Sequence, residues 1–345
     1  AQGNSDDTGY GNFYYDPPAG FLSLCTGNLP VADAIDPAQT DDNFSQKLFS
    51  PILYTGNGGT NNITGLGFQP DWLLIKIRNT ASNAVTVDSN RGTNKVLFPT
   101  NNDAEYTSAN VTAFGTDGFS LDGTSNNLAN FNGNGNTYVA WSWRANGGTT
   151  STNSTGSLSV TQQVDPSGSF SISTYSGDGG TDTIGHGLSR APTLVWVKQR
   201  NGANNWAVYA KGAGATKYAY LDTDAAFGTA TMWQNTTPSS SLVYLGDNNE
   251  VNHSGRTYVA YCFADTEGFF KSGSYVGNGN ADGTFVYTGF RPSMLFVKLV
   301  ASSGDFWVED TARDTYNPAT KYLAFNRADA EASGLNVDFL SNGFK

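Results

Sequence analysis

The sequence predicts an all-β protein of tandem antiparallel β-sandwich domains, jelly-roll or concanavalin-like, with almost no helix. Three observations lead there. Glycine, asparagine, threonine and serine separate short runs of valine, isoleucine, tyrosine, phenylalanine and tryptophan, a composition suited to strands joined by many turns. Aromatic residues make up 13% of the chain against 14% charged residues, so rings supply much of the core volume. One ordered block of motifs also occurs three times.

Each copy opens on a glycine-rich segment: "YTGNGGTNN" from Tyr54, "YSGDGGTDT" from Tyr175 and "YVGNGNADG" from Tyr275. Taken singly, this stretch resembles a phosphate-binding loop. A following helix and a Gly-Lys-Ser/Thr ending are absent, and the threefold recurrence marks a hairpin element whose glycines supply positive φ. "GFQPDWLLIK", "GLSRAPTLVWVK" and "GFRPSMLFVK" come next. Pro70, Pro192 and Pro292 open a strand where a lost N–H is tolerated, and the apolar run reads as an inner strand. Lys76, Lys198 and Lys298 are expected where that strand emerges into water. "AVTVD", "NWAVY" and "FWVED", followed by "KVLF", "KYAYL" and "KYLAF", add strands, for about seven or eight short strands per copy. "TYVAWSW" (Thr137 to Trp143) and "TYVAYCF" (Thr257 to Phe263) close the first two copies. The third reaches "LSNGFK" without such a strand, which would leave an open edge. Either the polypeptide runs on, or the N-terminal segment or a neighbouring subunit completes the sheet. "NRADAEASG" (Asn326 to Gly334) alone has a helical period.

The motifs divide the chain into five parts. Residues 1–50 read as the end of an upstream β domain plus a linker, and 51–147 as the first sandwich. Residues 148–165 read as a flexible Gly/Ser/Thr linker, 166–265 as the second sandwich and 266–345 as the third, lacking its closing strand. The second and third follow without a gap and are expected to pack rigidly together.

The net charge of −11 argues against nucleic acid as a partner, which needs clustered Lys and Arg. No apolar run approaches the roughly 20 residues of a membrane-spanning helix. Cys25 and Cys262 lie far apart; whether they pair stays open, although Cys262, in a strand-like run, reads as a reduced buried thiol. Neither has ligand spacing, so no metal or cofactor is expected. His186 aligns with Leu66 and Thr288 and so has no fixed role, and His253 lies in a polar turn. Without a nucleophile-elbow pattern, no catalytic residue is assigned. Aspartates sit mostly in turns: Asp178 and Asp182, matched by Asn57 and Asn61 and by Asn278 and Asp282, read as turn formers rather than calcium ligands. Asp88 with Arg91 and Asp310 with Arg313 read as loop-organising ion pairs. Trp72, Trp196, Trp206 and Trp307 fall in strands and read as core. Trp233, in the loop-like "TATMWQNTTPSSS", is the one candidate for an exposed, ligand-binding aromatic.

"FYYDPPAGFLSLCTGNLP" resembles the end of the concanavalin-like or SPRY-like segments of tailed-phage virion proteins. "LYTGNGGTNNITGLGFQPDWLLIK", "TIGHGLSRAPTLVWVK", "NTYVAWSWRANGG", "RTYVAYCFADTEGFFKSGSYVGNGNADGTFVYTGFRPSMLFVK" and "DFLSNGFK" are similar to the glycine-rich repeats that follow in marine and environmental phages. The resemblance implies a non-enzymatic virion structural protein, a tail-fibre, tail-tip or head-decoration component on the particle surface. Its implied partners are other virion proteins, copies of itself in a homo-oligomer, and host surface glycans. An extracellular carbohydrate-binding, lectin-like protein is the alternative, with a polysaccharide depolymerase behind it. Family members usually finish the last repeat with another aromatic-rich strand, a point at which this chain departs.

Overall fold

A computed structural model describes residues 4–25, 28, 44–123 and 128–345. The chain forms two compact units, residues 1–44 and 45–345. In the first unit the Asp6 carboxylate gathers the loop: it accepts from the Thr8 and Tyr10 amides at 3.0 Å, from Ser23 N at 2.7 Å and from Asn28 Nδ2 at 2.6 Å. The linker expected after it lies largely outside the described residues.

The second unit is antiparallel β throughout, and its described α-helix is the single turn α1 (Leu128–Phe131). Repeat 1 contains β1 (Phe49–Thr55), β2 (Asn61–Thr64), β3 (Trp72–Ile77), β4 (Val85–Asp88) and β5 (Lys95–Val96). It continues with β6 (Tyr106–Thr107), β7 (Val111–Gly115), β8 (Gly118–Leu121) and β9 (Thr137–Trp143). Its main sheet has the order β1-β9-β3-β4 and faces a smaller sheet, β2-β8-β7. Between them lies a core that includes Leu73, Ile75, Val85, Val87, Phe119 and Tyr138.

Repeat 2 contains β10 (Ser151–Asn153), β11 (Val160–Val164), β12 (Phe170–Ser176), β13 (Asp182–Gly185) and β14 (Leu194–Gln199). After these come β15 (Ala207–Ala210), β16 (Lys217–Tyr220), β17 (Gly228–Thr229), β18 (Leu242–Leu245) and β19 (Thr257–Phe263). The main sheet runs β10-β11-β12-β19-β14-β15-β16-β17, against the pair β13-β18. The expected linker of 148–165 is therefore corrected: β10 and β11 extend this sheet, Val164 pairing with Ser171 and Asn153 with Val160. Their solvent-facing side chains are polar, as edge strands allow, and so they read as a flexible tether.

Repeat 3 contains β20 (Val286–Tyr287), β21 (Met294–Val297), β22 (Trp307–Asp310), β23 (Ala319–Ala324), β24 (Ala332–Val337), β25 (Phe339–Leu340) and β26 (Gly343–Phe344). Its sheets are β21-β22-β23-β24 and β20-β26-β25. β24 takes up part of the stretch with helical period, which forms no helix.

The apolar runs are continuous because β3, β9, β14 and β19 are buried on both faces. One face of each main sheet lines its own sandwich: Leu73 and Ile75 in repeat 1, Val195 and Val197 in repeat 2. The alternate residues of all three sheets converge on a single shared core. Trp72, Trp141 and Trp143 meet Phe170, Trp196, Tyr261 and Phe263 there, together with Phe306, Val308 and Phe325. The Trp72 ring stacks on Tyr261 at 4.4 Å, Trp196 meets Phe296 edge-on at 5.4 Å, and Trp141 meets Phe325 edge-on at 5.4 Å. Each pair joins two different repeats, and such ring contacts add roughly 0.5–1.5 kcal/mol beyond area burial. The repeats are fused around this core rather than strung as separate sandwiches.

Candidate functional site

The three equivalent lysines do not emerge into water as expected. Lys76 and Lys198 are buried, and each ammonium ties its repeat to a neighbour through backbone carbonyls. Lys76 Nζ donates to Ser82 O in its own repeat and to Ala328 O in repeat 3, the latter at 2.9 Å. Lys198 Nζ donates to Asn102 O of repeat 1 at 3.3 Å and to Gln199 O at 2.8 Å. Lys298 Nζ donates to Asp224 O of repeat 2 at 2.9 Å and to Gly304 O. The ties close a ring: repeat 1 holds 3, 3 holds 2, and 2 holds 1. Hydrogen bonds to a charged donor contribute about 1.5–3 kcal/mol each. Burial pulls the Lys76 and Lys198 ammonium groups down to about 8, partly offset by Asp329 and by Asp222 respectively.

Two residues past each lysine the junctions differ in chemistry. Arg78 forks onto Glu331 at 2.9 and 2.8 Å, and Arg200 onto Glu105 at 2.8 and 3.0 Å. At the third junction Val300 and Phe227 stand in these places, joined by a backbone hydrogen bond of 3.2 Å. Behind the charged junctions lie the two ion pairs. Asp88–Arg91 and Asp310–Arg313 both meet at 2.6 Å with fully buried side chains, so they are interior supports rather than surface loop pairs. Arg91 also reaches Glu105 at 2.9 Å, while Tyr261 Oη donates to Asp88 at 2.6 Å. Burial opposes the Arg91 charge, yet Asp88, Tyr261 and Glu105 together raise its pKa above the ordinary guanidinium value. Repeat 2 has Ala210 and Ala213 where the others have Asp and Arg. The arginines and carboxylates are thus absent together at this junction, where Lys298 alone carries charge, so no buried carboxylate or guanidinium is left unpaired there.

The glycine-rich loops are clasped by a buried asparagine in the first two repeats. Asn132 Oδ1 accepts from Asn57 N at 3.0 Å and Asn61 Nδ2 at 2.9 Å, while its Nδ2 donates to Gly59 O at 2.6 Å. Asn252 Oδ1 accepts from Asp178 N at 3.2 Å, and its Nδ2 donates to Gly180 O at 3.1 Å and Asp182 Oδ2 at 2.8 Å. The Asx residues weighed as calcium ligands serve these loops, and no group of three or more potential metal-binding side chains occurs among the described residues. The fit is close. A Cβ on Gly56 would lie 2.3 Å from Gly133 O and one on Gly177 2.6 Å from His253 O, whereas one on Gly277 meets nothing within 4 Å. The third loop, Asn278 to Asp282, is exposed; its asparagines bond within the loop, and Asp282 pairs with Lys345.

Several expected side chains turn out to be internal. Trp233 is corrected: it is 1% exposed, in the short 3-10 turn Thr231–Trp233, and meets Tyr209 edge-on at 5.9 Å in the core of repeat 2. The turn folds inward because Met232 and Trp233 are its apolar residues, a signal too short for a periodicity reading. His186 is buried, accepting from Leu188 N at 3.1 Å on Nδ1, and burial lowers its pKa. Both cysteines are free thiols, and burial pushes Cys262 up to about 12.

Repeat 3 carries most of the large apolar side chains that the unit of residues 45–345 presents to solvent among the described residues. Val276, Tyr287 and Tyr316 are 85%, 66% and 85% exposed, and Tyr275, Phe285 and Leu299 are exposed as well. In the unit of residues 45–345, Leu53 is the large apolar residue outside repeat 3 that shares this exposure among the described residues. Trp307, expected in a core, is half-buried and meets Tyr322 edge-on at 4.9 Å. These rings line a shallow pocket of about 110 Å³ with Arg327 and Asp329 at its rim. β21 pairs with β22 alone, whereas β3 and β14 are each paired on both sides. No cluster of buried apolar residues belongs to repeat 3 by itself among the described residues.

No curated protein and no solved structure matches the chain. One family model matches residues 45–345, the whole of the fused three-repeat unit, under the description Domain of unknown function (DUF7483). The chain belongs to the DUF7483 family.

Proposed function

We propose that the chain is a non-enzymatic structural protein of a virus particle, a component of a phage tail fibre, tail tip or head decoration that assembles with copies of itself. The observation that carries this reading is where the protein's ionic groups are placed. The buried Lys76 and Lys198, the half-buried Lys298 and the two Arg–Glu forks hold one repeat to another, while the buried pairs Asp88–Arg91 and Asp310–Arg313 brace repeats 1 and 3 from within. They converge on no common cleft. Such a body resists separation of its repeats, a property that suits an appendage under mechanical load. The sequence resemblance to phage repeats and the apolar surface gathered on repeat 3 point the same way. Proteomics of density-banded particles from the strain encoding the chain tests the reading. The chain is expected to co-band with capsid protein at a fixed ratio through a high-salt wash; recovery only from the unbanded supernatant overturns it.

The second reading, glycan recognition, is favoured by the pocket of Trp307, Tyr322, Arg327 and Asp329. It offers aromatic faces beside charged hydrogen-bonding groups, the combination that stacks and orients a sugar ring. A glycan array run with the parent and Trp307→Ala proteins tests it. Binding abolished by the substitution supports it, and no binding by either protein removes it.

A further inference from the structure

One strand pair recurs in all three repeats in a single register, so its side chains can be compared position by position. Lys95 and Val96 lie opposite Thr107 and Tyr106, Lys217 and Tyr218 opposite Thr229 and Gly228, and Lys321 and Tyr322 opposite Ser333 and Ala332. In repeat 1, Tyr106 stacks at 5.2 Å on Phe98, two residues beyond Val96. In repeat 2, Tyr218 packs at 5.0 Å against Tyr220, again two residues on. Gly228 makes room for that ring, since a Cβ there would lie 2.8 Å from the Tyr218 side chain. Residues two apart on a strand share a face, and these rings pack against the repeat's own, private core. In repeat 3 the same positions hold Tyr322 and Ala324, with Ala332 opposite. A methyl group thus replaces the second ring, and the pocket of about 110 Å³ opens there, lined by Ala324 and Ala332 as well as Trp307 and Tyr322. Its shape follows from side-chain size at two positions inside the repeat.

We propose that this pocket takes one uncharged sugar ring, a neutral hexopyranose of a host glycan, in the place that Phe98 and Tyr220 fill in the other two repeats. The proposal rests on the glycan reading of the same pocket and narrows it to one ring and one charge type. Size sets the first limit. A cavity of about 150 Å³ encloses benzene, so a pocket of about 110 Å³ that opens to solvent holds most of one six-membered ring and not two. The walls set the orientation. Trp307 and Tyr322 meet at 87°, so one ring lies along the C–H face of a sugar while the other meets its edge.

Charge makes the second selection. Arg327 lines the pocket and is held by two carboxylates, its Nη1 meeting Asp305 at 3.1 Å and its Nη2 meeting Asp329. Asn326 Nδ2 donates to the same Asp305 at 2.7 Å and fixes that group in place. Two carboxylates against one guanidinium leave the rim negative, and the net charge of −11 adds to that sign. The carboxylate of a sugar acid is repelled there. Hydroxyl groups find both partners they need. A guanidinium has five N–H donors, more than these contacts use, and the Asp329 side chain, 62% exposed, remains an acceptor.

The test titrates the intact chain with the methyl glycosides of glucose, galactose and mannose and with the uronic acid of each, read by saturation-transfer NMR. At least one neutral glycoside is expected to bind saturably with a millimolar dissociation constant, the range open to a ligand of this size. Its uronic acid is expected to bind about fivefold more weakly, and Asp329→Asn to bring the two within about twofold. Ala324→Tyr and Ala332→Tyr refill the slot as repeats 2 and 1 do, and each is expected to abolish binding; whichever keeps the parent's unfolding midpoint decides. An acid that binds as tightly as its neutral partner, or neutral binding that survives refilling, overturns this proposal and leaves the glycan reading standing. Saturable binding of p-cresol with every glycoside silent overturns both, since an aromatic group would then be the occupant. The absence of any binding overturns both as well.

Discussion

Repeats 1 and 3 share their motifs and their junction chemistry but not their degree of enclosure. In repeat 1, β3 is paired on both sides and buried on both faces. In repeat 3, the equivalent β21 is paired on one side and only half-buried throughout. Val87, at the centre of a private core, corresponds to Glu309. The difference teaches that the shared core and the private cores are separable. A repeat can be anchored through one face of its sheet while its other face stays incomplete, because the anchoring residues alternate along the strand with those that close the sandwich.

The largest expected effect comes from the charged junction. Arg91→Ala leaves Asp88 buried without its partner and is expected to cost about 3–5 kcal/mol in denaturant unfolding. Copying the apolar junction in full, with Asp88→Ala, Arg91→Ala, Glu105→Phe, Arg200→Val and Tyr261→Phe, is expected to cost far less than that single change. A combined variant as unstable as Arg91→Ala would show that the two chemistries are not equivalent supports.

Glu309 offers the next test. Burial, reinforced by Asp310 and Asp314 and opposed by Arg313, raises its carboxyl from 4.5 to about 7. Between those values the folded protein binds more protons at this site than the unfolded chain does. Stability from this residue is therefore greatest at low pH and falls as pH rises from about 4.5 to 7, by about 3 kcal/mol at most. Glu309→Gln is expected to flatten that slope relative to the parent; parallel pH profiles of unfolding midpoint would contradict it.

Smaller effects separate the loops. Asn132→Ala and Asn252→Ala each strand several buried backbone and side-chain groups, for an expected loss of about 1–3 kcal/mol. Asn278→Ala, in the open third loop, is expected to change stability by less than about 0.5 kcal/mol. Limited proteolysis gives the same ranking kinetically, with first cleavage expected between Gly277 and Gly283.

Much of this architecture was legible in the sequence, because strand content and the repeat both follow from local pattern. The all-β class and the strand runs were read from periodicity and motif order. The shared core was not, since a run such as "WLLIKI" looks the same in a sandwich covered by its own partner sheet as in one covered by two other repeats. The lysines misled for a related reason. A basic residue ending an apolar strand usually marks solvent, and only its recurrence in all three copies hinted at a fixed partner. "STNSTGSLSV" reads as a tether because edge strands expose polar side chains, and Trp233 reads as exposed because its turn has no counterpart in repeat 1. Of the candidate site, Trp307 was visible as a residue but not as a surface. The half-covered state of repeat 3, which exposes it, is a property of strand pairing.

Native-state hydrogen exchange on the unmodified protein tests the central claim most directly. The account expects the amides of β3 and β14 to exchange only with global unfolding, and those of Met294 to Val297 to exchange at least about a hundredfold faster through local opening. Equal protection of all three strands would contradict it, by showing that repeat 3 is enclosed to the same degree as its neighbours.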